Sequence, residues 1–440
     1  MVRTNTVRII DADARFGSAC RSLEQIAFRT PAPALTAQVN CACAEASGKP
    51  CRRMACRAFS KAKCSNSAWP FRLAENARTT RVRMRIRGVG AVGGFGAGRS
   101  ALESVLAGGI CTPVLEARSQ GGPEWAYYRA STDELERFAP KRLLRRMDHF
   151  SRLALLCACL ALEDAGLEPF DKSVNAGLSV MVASGWGALR TTFSFLDSVA
   201  EEDKHASPTH FSNSVHNAAA ANIAIMLGAT GPSLTVSQFG LSAQSALISA
   251  AAMLAAGRAE RVLFGAVDEW CDVLGYCRER YFGSEAGEVR PWDFETHSAL
   301  AGEGAAFFLL EPESTPEGPY GSLLDVRLGT MGEQERLALP DGPLILGADG
   351  HVACGQAYAD VLHDHGGDVA AYAPLHGSLP SAAALDMAVA AVSVASDTFQ
   401  AGPDKGGGMR STSLEGRPVT CLTLGEAESY GLLTVGRSQA

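Results

Sequence analysis

From Met84 onward, short apolar runs alternate with longer stretches of helical periodicity. The runs "RIRGVGAVGGFG", "AGLSVMVASG", "LTVSQ", "ERVLFGAVDEW" and "GEGAAFFLLEPE" are apolar throughout rather than at every second residue, the pattern of strands buried on both faces. Such strands need cover on each side, so the chain is confined to a layered α/β architecture with a largely buried sheet. The segments between them supply the cover. In "RLLRRMDHFSRLALLCACLALEDAGL" the residues Met147, Phe150, Leu153, Ala154, Cys157, Leu160 and Ala161 recur at helical spacing, and Gly166 is a terminator. "SVHNAAAANIAIMLGATGPS" predicts a helix ending in a Gly-Pro turn, and "AQSALISAAAMLAAGRA" an Ala-rich one.

Beyond a Pro- and Gly-rich joint, "PESTPEGPYG", the plan is repeated in shorter form. The runs "SLLDVRL" and "GPLILGADG", the helix "GQAYADVLHDHG", the run "VAAYAPLHGS", the helix "SAAALDMAVAAVSVA" and the hairpin "VTCLTLGEAESYGLLTVGR" provide its elements. Residues 84–320 and 321–440 are therefore expected to be two similar halves of one double domain.

The first part of the chain reads differently. Residues 1–82 hold 14 Lys and Arg against 5 Asp and Glu, although the whole chain has a net charge of -7. Residues 1–83 are expected to be a basic leader, either disordered or a spurious upstream translation with Met84 as the true start. Cys20, Cys41, Cys43, Cys51, Cys56 and Cys64 fall there, but without a CxxC pair, and no histidine precedes His149. Neither zinc nor another metal is expected. The 13 cysteines are dispersed, as in a cytoplasmic protein with reduced thiols, and the acidic balance opposes non-specific nucleic-acid binding. The longest apolar runs, such as "ALISAAAMLAAG", are too short to span a bilayer.

One stretch, "TVSQFGLSAQSAL" at 235–247, predicts a strand, a sharp turn and a small-residue helix. That arrangement presents one side chain at a helix N-terminus, where free N–H groups favour a thiolate or an oxyanion. Gly240 stands at the turn.

Four segments in order resemble the β-ketoacyl synthases of the thiolase fold, over roughly residues 84–440: "RRMDHFSRLALLCACLALEDAGL", "NAAAANIAIMLGATGPSLTVS", "AAGRAERVLFGAVDEW" and "RPWDFETHSALAGEGAAFFLLEPE". The resemblance implies a duplicated, layered αβαβα fold with a shortened C-terminal half. It also implies a cysteine nucleophile and two histidines that support decarboxylation and stabilise the enolate. Carried over residue by residue, the cysteine position is Gly240 and the first histidine position, in "ILGADGHVACG", is Asp349. The Lys-x-x-x-Gly-His pattern falls on Ala373 and Ser378 in "APLHGSLPSAAALDMA". His351 lies past its turn, and His376, a candidate catalytic residue, sits two residues early, where its other reading is a surface or packing residue. The acyl tunnel and its gate are expected at Phe239, Leu424 and Gly425.

Gln238 is two residues before Gly240, and strand alternation would aim it to the same side, where it leaves room for decarboxylation. Ser237 and Ser242 are the other hydroxyls at the turn, better suited to capping than to nucleophilic attack. The resemblance is nearest to the non-condensing chain-length factors of type II polyketide and aryl-polyene pathways. It implies pairing with a cysteine-bearing ketosynthase or with itself, through strands near "LTVSQ", and a docked acyl carrier protein. Lys141, Arg142, Arg145 and Arg146 are the basic candidates for carrier docking. No cofactor is called for. Two other readings remain: an acyltransferase or malonyl decarboxylase using a residue other than cysteine, and an acyl-binding homodimer.

Overall fold

The computed structural model describes residues 83–108, 111–118, 124–201, 206–283, 287–331, 337–403, 408–425 and 428–438. The readings placed on residues 1–82, the six cysteines among them, lie outside the described residues.

Ten strands form the continuous path of one sheet: β1 (Met84–Gly93), β2 (Leu178–Ala183), β3 (Ser233–Val236), β4 (Arg261–Asp268), β5 (Gly304–Pro312), β6 (Ser322–Thr330), β7 (Leu344–Leu346), β8 (Val369–Ala370), β9 (Val419–Leu424) and β10 (Ser429–Gly436). Their spatial order is β8-β7-β9-β10-β6-β1-β5-β4-β2-β3. The order is the same motif used twice. In β1–β5 the first strand pairs antiparallel with the fifth and the fifth antiparallel with the fourth, while the fourth, second and third run parallel. Strands β6–β10 repeat that order and those directions. The two sets meet where Met84 and Arg85 pair with Leu323 and Ser322.

Five helices cover the strands: α1 (His149–Asp164), α2 (Ala218–Leu227), α3 (Ser242–Ala255), α4 (Gly355–Asp364) and α5 (Ala382–Ser396). Side chains of α1 and α2 share a core with Val180, Val182, Leu263, Phe307 and Leu309 on one face of the first set. The opposite face, including Met181, Phe264 and Phe308, packs with α3 and α5 and with Cys421, Leu433 and Val435 of the second set. Tyr358 of α4 packs with Leu344, Leu346 and Leu422 on the outside of that second set. The layers are therefore αβαβα, with Ala-rich α3 and α5 in the centre. The second half is shorter because, among the described residues, no helix corresponding to α1 lies between β6 and β7.

Two local features make α1 the organising helix of the first half. Asp148 caps it, its carboxylate accepting from the Ser151 backbone N–H at 3.0 Å and from Thr191 Oγ1 at 2.9 Å; a cap of this kind contributes about 1 kcal/mol. Close packing does the rest, since a Cβ at Gly90 of β1 would fall 2.2 Å from the Cys157 carbonyl oxygen and 2.7 Å from the Ala161 nitrogen. Only a glycine lets strand and helix backbones approach this closely. We expect Gly90→Ala to push α1 off the sheet and cost about 3 kcal/mol or more in urea unfolding; an unchanged midpoint would remove this close contact from the account of stability.

Candidate active site

The predicted strand, sharp turn and helix are formed, with one correction. Strand β3 ends at Val236 and a 3₁₀ turn occupies Phe239–Leu241 before α3 begins at Ser242. Strand alternation therefore does not reach Gln238, and its presumed alignment with Gly240 fails. Gln238 is exposed, and its side-chain oxygen accepts a hydrogen bond from Ser245 Oγ. Ser242 is tied to the turn: its hydroxyl accepts from the Gln238 N–H at 2.7 Å and lies 2.7 Å from the Phe239 carbonyl oxygen. Ser237 is exposed, 3.4 Å from the Gly185 carbonyl oxygen.

Phe239 holds a φ of 46°, a left-handed conformation costly for a bulky residue. The residue is 62% exposed, and its ring meets Trp186 edge-on at 5.4 Å between centroids. At the neighbouring Gly240 a Cβ would meet nothing within 4 Å. A side chain at residue 240 is thus not excluded by crowding.

Three other segments reach this turn. A Cβ at Gly185, just after β2, would lie 2.2 Å from Pro380 Cβ and 3.5 Å from Phe239 Cα, so the segment leading to α5 abuts the turn. A Cβ at Gly425 would lie 3.4 Å from Leu241 Cδ1, which puts the end of β9 beside it too. Leu424 is buried, and its N–H donates to Tyr358 Oη at 3.0 Å.

Asp349 and Ser378, predicted far apart in sequence to be counterparts, are in contact: Ser378 Oγ donates to Asp349 Oδ2 at 2.6 Å. His351 does not lie apart past the turn, as its sequence position suggested. It folds back so that its N–H reaches Asp349 Oδ1 at 3.2 Å and its Nδ1 is 3.0 Å from Oδ2. Burial raises the Asp349 carboxyl, but the hydrogen bonds and charge of His351, with that of Ser378, outweigh it and hold the group well below the usual carboxylate range. Ala373 opens the short helix Ala373–His376 and is buried.

His376 is a packing residue and not a surface one. It is buried, its Nδ1 lies 2.8 Å from the Gly377 carbonyl oxygen, and burial lowers its pKa to about 4. Lys141, Arg142, Arg145 and Arg146 are all exposed, Lys141 being paired with Glu136 at 3.0 Å.

Sequence reasoning missed four buried carboxyls that support these loops. Asp268, at the end of β4, accepts from Ser184 Oγ at 2.8 Å and from the N–H groups of Gly185 and Trp186. Glu269 accepts from the Arg190 N–H, and Glu303 from those of Ala130 and Trp270. Burial pushes Asp268 up to about 6 and Glu269 up to about 7. Asp386 of α5 goes up to about 8, through burial and then the charge of Asp349. A carboxylate pair directly after an apolar strand, and a Glu between glycines before another, are the signals that could have revealed the first three. Asp386 carries no such mark, because an acidic residue in a helical pattern reads as solvent-facing.

Residues 121–315 match the family model described as the N-terminal domain of beta-ketoacyl synthase. Those residues are similar to that domain, and the fold as a whole is that of solved ketosynthase structures. Among solved structures, a chain of the ishigamide ketosynthase/chain length factor superposes with a TM-score of 0.64 at 18% identity, covering 82% of this chain and 100% of that one. A chain from the complex of the ketosynthase ApeO with its chain length factor ApeC, from Xenorhabdus doucetiae, gives a TM-score of 0.64 at 16% identity, covering 81% and 98%. Among curated relatives, 3-oxoacyl-[acyl-carrier-protein] synthase 2 of Vibrio cholerae is 27% identical over 186 residues, 40% of this chain and 45% of the relative. Nodulation protein E of Rhizobium sp. is 30% identical over 176 residues, 39% and 43%. The chain therefore spans less than half the length of these curated relatives.

Two outcomes follow from the geometry. Because space is open at residue 240, Gly240→Cys is expected to fold with a stability change under about 1 kcal/mol, and iodoacetamide followed by peptide mass spectrometry should find a carbamidomethyl group there. Asp386 is raised in the folded state, so its contribution is fully present below its unfolded pKa and is lost as pH rises through about 8. Asp386→Asn should become more stable relative to wild type by roughly 1 kcal/mol per pH unit between about pH 4 and pH 8, read from urea midpoints.

Proposed function

We propose that this chain is a catalytically degenerate, non-condensing ketosynthase homologue that acts as the partner of a cysteine-bearing ketosynthase, in the manner of a chain-length factor. One observation supports the reading: strand, 3₁₀ turn and helix are formed with Gly240 at the turn, and Asp349 and Ser378, taken here to stand at the two histidine positions, are hydrogen-bonded to each other. With glycine at residue 240 there is no side chain at that position to form the acyl-enzyme by which such enzymes condense. In this reading residues 84–320 and 321–440 are the two ketosynthase-like halves, and Phe239, Leu424 and Gly425 line the acyl tunnel and its gate.

The partner surface is the outer edge of the sheet. Strand β3 is last in the order and, among the described residues, one row of its backbone groups has no strand neighbour. Leu234 on it is 45% exposed and Ile225 of α2 is 75% exposed. Exposed edges with apolar flanks favour pairing with another strand. The proposed occupant is the equivalent edge of a ketosynthase, or of a second copy. The exposed Lys141, Arg142, Arg145 and Arg146 are proposed to meet an acidic acyl carrier protein. Among the described residues no helix is long and apolar enough to cross a membrane, in keeping with the proposed place of work in the cytoplasm.

Native mass spectrometry of the tagged protein from its own host should give a one-to-one complex with a cysteine-bearing ketosynthase. A Lys at position 234 places a charge on the edge, so Leu234→Lys should weaken that complex at least tenfold. A homodimer carrying a covalent acyl mass, or carbon dioxide released from malonyl carrier protein by the chain alone, would make it an acyltransferase or decarboxylase instead.

A further inference from the structure

The Asp349 cluster has a connectivity that the assignment of Asp349 and Ser378 as lost histidines leaves unexplained. Ser378 Oγ and His351 Nδ1 both address one carboxylate oxygen, Asp349 Oδ2, at 2.6 and 3.0 Å, and they stand 3.4 Å from each other. An ionised carboxylate only accepts, so the imidazole proton lies on Nδ1 and the Ser378 proton points to Asp349. Ser378 is thereby disqualified as a nucleophile activated by His351, because the basic nitrogen is on the other edge of the ring.

That other edge is available. No hydrogen bond among the described residues involves His351 Nε2, and the His351 side chain keeps 22% of its surface open. The rings of Phe282 and His297 pack around the imidazole, with centroids 4.9 and 5.0 Å away. A histidine fixed by a carboxylate on Nδ1, walled by rings and open at Nε2, is the arrangement of a general base. Its place also fits, since Pro380, two residues beyond Ser378, abuts Gly185 beside Phe239. The dyad is therefore linked to the turn at Phe239 through the segment from Ser378 to Pro380.

We propose that His351, oriented by Asp349, is the general base of an acyl-thioester hydrolase site, so that this protein releases acyl chains from their thiol carriers. The proposal rests on the reading of the site as one that receives acyl thioesters, and adds an activity that the absence of condensation leaves open. With no side chain at residue 240 to accept the acyl group, the acceptor is water. Nε2 takes a proton from the water as its oxygen bonds to the thioester carbonyl carbon. The tetrahedral intermediate then expels the thiolate, breaking the C–S bond, and the imidazolium returns its proton to that sulfur. Acyl thioester and water become carboxylic acid and thiol, with no other reactant. His351 is the catalytic residue; Asp349 is a positioning residue, and Ser378 steadies Asp349.

The test uses the full chain with hexanoyl- and octanoyl-pantetheine in ¹⁸O-labelled water, following the free acid by mass spectrometry. The expected product carries one ¹⁸O. His351→Ala and His351→Gln should each lose at least about 100-fold in rate, with folding checked by thermal unfolding. Asp349→Asn should lower kcat while leaving KM within about twofold, because it disturbs the tautomer and not the binding of the chain. Ser378→Ala should cost only about three- to tenfold. No labelled acid above the buffer blank, a rate that survives both His351 variants, or a loss in Ser378→Ala as deep as in His351→Ala would each overturn the proposal. The native complex with a ketosynthase is read separately: its presence without labelled acid overturns the hydrolase alone, and its absence bears on the partner reading alone.

Discussion

Strand β1 has to satisfy both halves of the molecule at once, and much of the structure depends on its doing so. It pairs with β5 along most of its length and with β6 through Met84 and Arg85, so it is the seam of the sheet. Its face toward α1 is stripped to backbone at Gly88 and Gly90, which allows that helix to pack with its carbonyl oxygens almost on the strand. A side chain on either glycine would separate two elements that bury most of the first half's core. The Asp148 cap and the fully apolar body of α1 make sense as parts of this same contact.

The loops that shape the site are held by carboxyls rather than by apolar packing. Asp268 gathers the segment after β2, Glu303 ties the start of β5 to Ala130 and Trp270, and Asp349 joins the turn after β7 to the turn before α5. Each is a hub where several donors meet one acceptor, and losing it would leave buried N–H or O–H groups without partners. This is why the turn at 237–242 can keep a strained residue such as Phe239: its surroundings are over-determined.

The fold was legible because long apolar strands and helical periodicities record burial directly. The elements expected from "SVMVA", "LALLCACLALED" and "VLFGAV" are β2, α1 and β4, and the double plan reappears as one strand order used twice. The site was less legible. Alternation does not extend to Gln238, because the strand stops at Val236 and a 3₁₀ turn begins at Phe239. For His376 the sequence leaves packing and surface open, and burial decides for packing. His351 was set aside as lying past its turn, yet that turn brings its ring back onto Asp349.

The sequence by itself determined which segments are buried, that they come in two similar sets, and that residue 240 has no side chain, since these are local properties of pattern and composition. Only the tertiary structure decided which side chains meet. Asp349 and Ser378 are separated by helix α4 and strand β8, and their 2.6 Å contact depends on β7 and β8 lying side by side. Hydrogen-bond partnership needs positions to within tenths of an ångström, whereas burial needs only a periodicity; the first is a property of the assembled layers, the second of the chain.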